Sequence, residues 1–349
     1  MSRTTTPTSK STVPTSPRTK HHSPRPLPRT STSPTTRFFH TTPTPNDDPQ
    51  KKPTWSADQY LKFHAERTRP VHDLLAQATP LLPPSSSASP LRIFDLGCGP
   101  GNSTAVLHSA FPTARLTGID ASSDMLQKAR GDASLQRPNI DFVEADLATF
   151  DPRSADGEDR PPDLLFSNAA FHWLRSPQRL ATITRLFRTL RPGTSTSTSS
   201  GGVLALQVPD NFTQPTHALM RRTALLPHKP WTQHFASARI HDRSCATRPD
   251  LDPIEPPHGI IAALGPHASS VRVWHTTYYH ELADAAAIVA WVRGSGLMPY
   301  LERLEGDERA KEGFLAEYEG RVGERYERVG EGRGVLLAYP RLFVVAVRK

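Results

Sequence analysis

Four acidic or amide side chains in this chain fall where a small-molecule ligand would need them. Asp95 closes an apolar run, Ile93-Phe94-Asp95-Leu96, and three glycines at alternating positions follow, Gly97, Gly99 and Gly101. Glycines at such a turn admit positive φ and let a ligand approach the backbone closely. Asp120 ends a second apolar run, Arg115–Asp120, nineteen residues past Gly101. That is near the distance at which a carboxylate reaches ribose hydroxyls in doubly wound sheets. Asp146 follows Ile140–Ala145, where an acid can accept a hydrogen bond from an adenine amino group, and Asn168 follows Asp163–Ser167. The chemistry implied is capture of a nucleoside-bearing ligand. The turn lacks the third glycine spacing of a dinucleotide fold, and no Gly-Lys-Ser/Thr follows to make a P-loop.

The elements that must carry these residues alternate. Five strand-like runs, the last at Gly202–Val208, are separated by helical patterns, among them Leu180, Ile183, Leu186, Phe187 and Leu190 on one face. Asn102-Ser103-Thr104 offers capping side chains after the glycine turn. Such alternation predicts an α/β fold, a doubly wound and mostly parallel sheet with helices on both faces. Val271–Tyr279 and Gly334–Val347, the latter read as a strand pair or bent strand, raise the sheet to seven strands. Every candidate above then lies at a strand's carboxyl end, where open α/β sheets bind ligands. Filler-rich stretches at 84–90, 152–162 and 194–200 each precede a strand and so belong to the opposite rim. Residues 211–270 and 281–334 are expected to fold over the site as a helical lid. Pro70 is expected to separate two helices or to open the second.

Composition narrows the function classes. Of 42 basic residues, seven lie in residues 1–46, which hold no acid; the remainder stand at 35 against 34 acidic, a net of +1. The basic pI thus belongs to the tail, and a nucleic-acid surface on the folded part is not expected. No apolar run is long enough to span a membrane. Two cysteines far apart, Cys98 and Cys245, form no metal-type spacing and suggest a reducing compartment. Residues 1–53, rich in Ser, Thr, Pro and Arg, read as a disordered tail. The acid-free, Arg-rich character of residues 1–46 favours a mitochondrial-matrix presequence over a cytoplasmic location, although the prolines there oppose an amphipathic helix. The domain expected to fold is 54–349.

The glycine turn resembles the first motif of class I methyltransferases that use S-adenosylmethionine. The wider match is closer: Glu66-Arg67-Thr68-Arg69-Pro70, Asp95–Thr104, Asn168-Ala169-Ala170-Phe171-His172-Trp173, Val208-Pro209-Asp210-Asn211, Trp291–Leu297 and Pro340-Arg341-Leu342-Phe343 resemble trans-aconitate 2-methyltransferases across residues 54–349. The resemblance implies a Rossmann-like fold and S-adenosylmethionine held by Asp95, Gly97, Gly99, Gly101, Asp120, Asp146, Asn168 and Arg69. It implies a monomer that esterifies one carboxylate of a small tricarboxylic acid, without metal, nucleic acid or membrane. His172, Trp173, Tyr278, Arg293, Tyr300 and Arg341 would hold the acid, with His172, Tyr278 and Tyr300 positioning it and no residue acting as acid or base. Ile260-Ile261 and Met298 depart from the family pattern, in which an aromatic pair and an arginine are expected. Those departures motivate one alternative, another small acid or an acyl-thioester carboxylate as substrate; a non-catalytic S-adenosylmethionine-binding assembly factor in mitochondria is a further one.

Overall fold

Five strands run parallel and lie in the order β3-β2-β1-β4-β5: β1 (Arg92–Leu96), β2 (Arg115–Asp120), β3 (Ile140–Glu144), β4 (Leu164–Asn168) and β5 (Val203–Pro209). Two long antiparallel strands complete the sheet, β7 (Val335–Arg348) beside β5 and β6 (Ala268–Leu282) at the edge. The computed structural model describes residues 64–349 apart from 87, 156, 158, 194–200 and 331–333. The tail 1–53 and the segment from Trp55 to Phe63 lie outside the described residues, and with them the expected presequence.

Chain order leaves β1 outward through β2 and β3, then returns to β4 on the other side. The crevice between β1 and β4 is therefore the topological switch point, the position at which such sheets take ligands. Strands this central are covered on both faces, which is why β1, β4 and β5 read as almost unbroken apolar runs. Alternate residues serve opposite faces. Ile93, Leu116, Phe166, Ala205 and Val345 pack with Val71, Leu74, Leu75 and Ala78 of α1 (described from His64 to Ala78) and with Leu107 of α2 (Asn102–Ala110). Phe94, Leu165, Leu204 and Val344 pack with Ile183, Leu186 and Phe187 of α4 (Ser176–Phe187), while α3 (Ser123–Gly131) starts on a Ser122 cap that accepts from the Met125 N–H.

The helices expected as a lid share a third apolar cluster. It joins α5 (Pro215–Ala224), α6 (Thr232–Phe235), α8 (Ala285–Arg293), α9 (Met298–Glu302) and α10 (Glu308–Arg325) to Val335, Leu337 and Tyr339 of β7. Asp284 and Asp307 cap α8 and α10 by accepting from the Ala287 and Ala310 amides. The segment 211–270 divides: α7 (Pro257–Leu264) leaves the lid and buries Ile260 and Leu264 in the sheet's own core.

One local expectation changes and another is narrowed. The helix α1 continues through Pro70, at the cost of one backbone hydrogen bond. The last strand is single, and Pro340 is tolerated in it because the pairing with β5 ends one residue away, at Pro209↔Arg341. Its carbonyl still accepts from the Asp210 amide.

Candidate functional site

The turn after β1 winds through left-handed conformations at Gly97, Gly99 and Gly101, with φ of 74°, 55° and 95°. Its amides are committed within the protein. Gly97 and Cys98 both donate to the Ile119 carbonyl, Gly99 donates to Asp120 Oδ2 at 2.9 Å, and Gly101 donates to Cys98. The turn therefore contributes shape more than free donors. A Cβ on Gly97 would lie 2.1 Å from that of Ala170, whereas one on Gly99 would meet nothing within 4 Å and would project into open space. Asp120 ties the turn to the next one, because its Oδ1 accepts from the Ser122 amide.

Asp95 lies beneath this turn, fully buried. Its Oδ2 accepts from the Ser103 and Thr104 hydroxyls, both at 2.7 Å, and its Oδ1 has no partner. Burial pushes its pKa up to about 6 against the lowering effect of the two hydroxyls, and the nearby Asp120 charge adds to the rise. Ser103 and Thr104 thus clamp the start of α2 to β1. No side chain caps that helix; Gly101 is its N-cap.

A cavity of about 310 Å³ opens over these strand ends. Gly97, Gly99, Asp120, Asp146 and Asn168 line it together with Met125, Leu147, Trp173 and Leu174. A few polar groups stand among apolar walls, the composition of a small-molecule site. Two smaller hollows continue from it toward the lid. The outer one, about 50 Å³, is lined by Arg67, Asn168, Ala169, His172, Trp173, Pro209, Ser295, Tyr339 and Arg341. The inner one, about 30 Å³, is lined among others by His172, Asn211, His217, Arg221, Ser295, Gly296, Tyr300 and Tyr339.

A buried polar relay fixes the junction. Arg341 Nη1 donates to Gln207 Oε1 at 3.0 Å, and Gln207 Nε2 donates to Asn168 Oδ1. The next residue, Ala169, takes a φ of 56°, an uncommon conformation for a residue with a side chain. Strain of this kind persists where the surroundings over-determine it, often at ligand sites. His172 sits on a short 3-10 turn, Phe171–Trp173, buried, with Nδ1 unpartnered. Burial, aided by the Arg179 and Arg341 charges, holds its pKa well below the usual imidazole range, so the ring is neutral. Among the described residues no group of His, Cys, Asp or Glu could hold a metal ion, and no helix is long and apolar enough to cross a membrane.

Comparison with known proteins gives this geometry its relatives. A family model described as a methyltransferase domain matches residues 93–193. Curated relatives from Agrobacterium fabrum and Variovorax paradoxus, each called trans-aconitate 2-methyltransferase, are both 43% identical over 295 residues. The alignments cover 84% of this chain and 99% and 98% of the relatives. The chain belongs to the trans-aconitate 2-methyltransferase family. Among solved structures, the plantazolicin methyltransferase BpumL overlaps loosely, at 12% identity and a TM-score of 0.39 over 84% of this chain and 89% of that one.

Within this family member, the expected ligand residues separate into those that line the cavities and those that do not. Gly97, Gly99, Asp120, Asp146, Asn168 and Trp173 share the large cavity, and His172, Tyr300 and Arg341 reach the hollows. Asp95 and Gly101 sit below the floor; a Cβ on Gly101 would strike Leu135, so that glycine serves packing. Arg69 lines none of these three cavities. Its side chain is 75% exposed and lies 4.0 Å from Asp73, while Arg67 is buried, donates to the Trp291 carbonyl and lines the outer hollow. Two residues apart on a helix means opposite faces, so only one arginine of this pair can reach the site. Tyr278 is also elsewhere: on the edge strand β6, its hydroxyl donates to Asp73 at 2.6 Å beneath Arg69. Arg293, at the exposed end of α8, lines none of the three cavities, whereas Ser295 and Gly296 just beyond it line the inner hollow. The positions that depart from the family pattern stay clear of the hollows. Ile260 is in the sheet core, Ile261 is exposed, and Met298 is buried outside the cavity walls.

Proposed function

We propose that this chain is an S-adenosylmethionine-dependent carboxyl O-methyltransferase that forms a monomethyl ester of trans-aconitate. The carrying observation is continuity. Asn168, Ala169 and Trp173 are walls of both the large cavity and the outer hollow, and the hollows beyond contain three buried guanidiniums, those of Arg67, Arg341 and Arg221. A donor cavity that opens onto buried cations suits an anionic acceptor with several carboxylates.

The residues around the large cavity fit S-adenosylmethionine. Gly99 leaves the space a side chain would fill, Asp120 stands at the rim for ribose hydroxyls, Asp146 for the adenine amino group, and Met125, Leu147 and Leu174 offer apolar walls. When bound, that group supplies a methyl carbon made electrophilic by a sulfonium. The chain's own part is to align and to exclude water. A carboxylate is already an oxyanion at neutral pH and needs no base, which agrees with a His172 held neutral by burial. Orientation of this kind supplies at most ~7–11 kcal/mol. Arg67 and Arg341 would keep the substrate's charges paired, since a buried carboxylate without partners is costly. The Asn168–Gln207–Arg341 relay fixes Arg341 relative to the donor cavity.

The test is turnover on trans-aconitate, cis-aconitate, isocitrate and a malonyl thioester. Esterification of trans-aconitate above the other three is expected. A negligible rate on all three tricarboxylates, with turnover of the thioester, would overturn the proposal.

A further inference from the structure

We propose that the inner hollow is a separate subsite, in which Arg221 and Asn211 hold a carboxylate arm of the acceptor that is not the one methylated. The inference rests on the carboxyl-methylation reading above and adds to it which residues grip the far end. Topology separates the two ends. The large cavity and the inner hollow share no wall residue; the outer hollow shares Asn168, Ala169 and Trp173 with the first, and His172, Pro209, Ser295 and Tyr339 with the second. A group seated in the inner hollow is thus screened from the methyl donor by the outer one. Neither hollow is large enough to contain a six-carbon triacid by itself, so such a substrate spans both.

The inner hollow is built for one negative charge. Asn211 is 4% exposed, and neither its amide oxygen nor its amide nitrogen has a partner. Leaving both buried and unsatisfied is unfavourable, and an unpaired buried group of this kind calls for a ligand or a functional reason. Arg221 is 7% exposed; it donates to the Phe212 carbonyl and stacks 4.1 Å from the Phe212 ring, and among the described residues it forms no ion pair. The acid in the same wall, Asp252, is committed to Arg248. His217 adds no charge, because burial and the Arg221 charge hold its pKa at about 3, and its Nδ1 is engaged with the Thr216 hydroxyl. Gly296 makes room for that ring, since a Cβ there would lie 2.5 Å from its Nε2. One guanidinium without an ion pair among the described residues, offset only by the more distant Asp250 charge, stands beside one uncommitted amide and matches one carboxylate: the amide nitrogen and the guanidinium donate, and the carboxylate oxygens accept.

Three acids separate the arms: trans-aconitate, mesaconate (without the carboxylate of the methylene arm) and itaconate (without the carboxylate on the vinylic carbon). Each is titrated by calorimetry into the full chain saturated with S-adenosylhomocysteine, as wild type, Arg221→Met and Asn211→Asp, with ester formation followed in parallel. The wild type should prefer the triacid over one of the diacids by about 10- to 100-fold, the range for a hydrogen-bonded charge. Both variants should lose that preference, Arg221→Met by removing the cation and Asn211→Asp by setting a like charge against the arm. Unchanged S-adenosylhomocysteine affinity verifies that each variant is folded. A preference that survives both substitutions, or a loss equal for all three acids, overturns the subsite. A wild type that shows the preference but forms no ester overturns the methylation reading and leaves the subsite standing. A wild type that esterifies trans-aconitate while the variants keep its preference does the reverse.

Discussion

Asp120→Ala is the substitution whose two consequences can be separated in magnitude. In the unliganded protein its carboxylate accepts from the Gly99 and Ser122 amides, both at 2.9 Å, and so ties the glycine turn to the turn that follows β2. Removing it leaves two backbone donors at a partly open site, at a cost of about 2–4 kcal/mol. For a domain of this size that lowers Tm by roughly 4–10 °C. Cofactor binding should suffer more. Two ribose hydroxyls donating to a carboxylate contribute about 3–6 kcal/mol together, and at 1.4 kcal/mol per decade the dissociation constant rises about 10²- to 10⁴-fold. Asp120→Asn, which keeps one acceptor oxygen, should fall between, at about 10- to 100-fold. The assay is calorimetric titration with S-adenosylmethionine well below Tm, with circular dichroism to verify folding. Affinity within about threefold of wild type in a folded Asp120→Ala protein would refute the assignment of this rim as the nucleoside site.

Gly97→Ala combines a left-handed φ of 74° with a Cβ 2.1 Å from that of Ala170, a methyl fixed to the backbone rather than a flexible side-chain end. It should destabilise the protein by more than about 3 kcal/mol and abolish cofactor binding, measured by denaturant unfolding and calorimetry. Asp95 predicts a pH signature. Its pKa is raised from 3.8 to about 6 by burial, so the folded state holds its proton more tightly than the unfolded one. The associated stability is complete below pH 4 and is lost as pH rises through 6, about 3 kcal/mol at most. Asp95→Asn lacks this dependence; its stability relative to wild type, from urea unfolding, should improve by about that amount between pH 4 and pH 7, and no change would contradict the burial argument. Arg175 donates to the carbonyls of Ala246, Arg248 and Asp250, so Arg175→Ala should free that strap and speed limited proteolysis between residues 239 and 250 at least several-fold.

The sheet and one rim of its site were legible because they depend on short-range rules. Apolar runs that stop on Asp120, just before Asp146 or at Asn168, with a helix following each, leave few arrangements for those side chains other than one shared rim, and they do share a cavity. Asp95 obeys the same rule yet lies below the floor, because the hydroxyls of Ser103 and Thr104, read as helix caps, turn back to it. The outer part of the site depends on which face of an element turns inward. Arg67 and Arg69 are indistinguishable by charge and spacing until the direction of α1 is known. Tyr278, expected to hold the acid, lies on the edge strand with its hydroxyl on Asp73. The inner hollow had no periodic signal at all: Asn211, His217 and Arg221 come together through the packing of α5 against α10, beside Tyr300 and Tyr339. Gln207, now the middle of the relay, did leave a trace, as the one polar residue inside the apolar strand Val203–Pro209.

In the proposed reaction a donor cavity and a cation-lined hollow, which meet at Asn168, Ala169 and Trp173, bring a carboxylate to the methyl donor. Single turnover with S-adenosylmethionine labelled at the methyl carbon, mixed with trans-aconitate and read by carbon NMR, tests it most directly. One labelled methyl-ester carbon per S-adenosylhomocysteine released is expected, with no label elsewhere. Donor consumption without a labelled ester, or a label that appears on any atom other than a carboxylate oxygen, would contradict it.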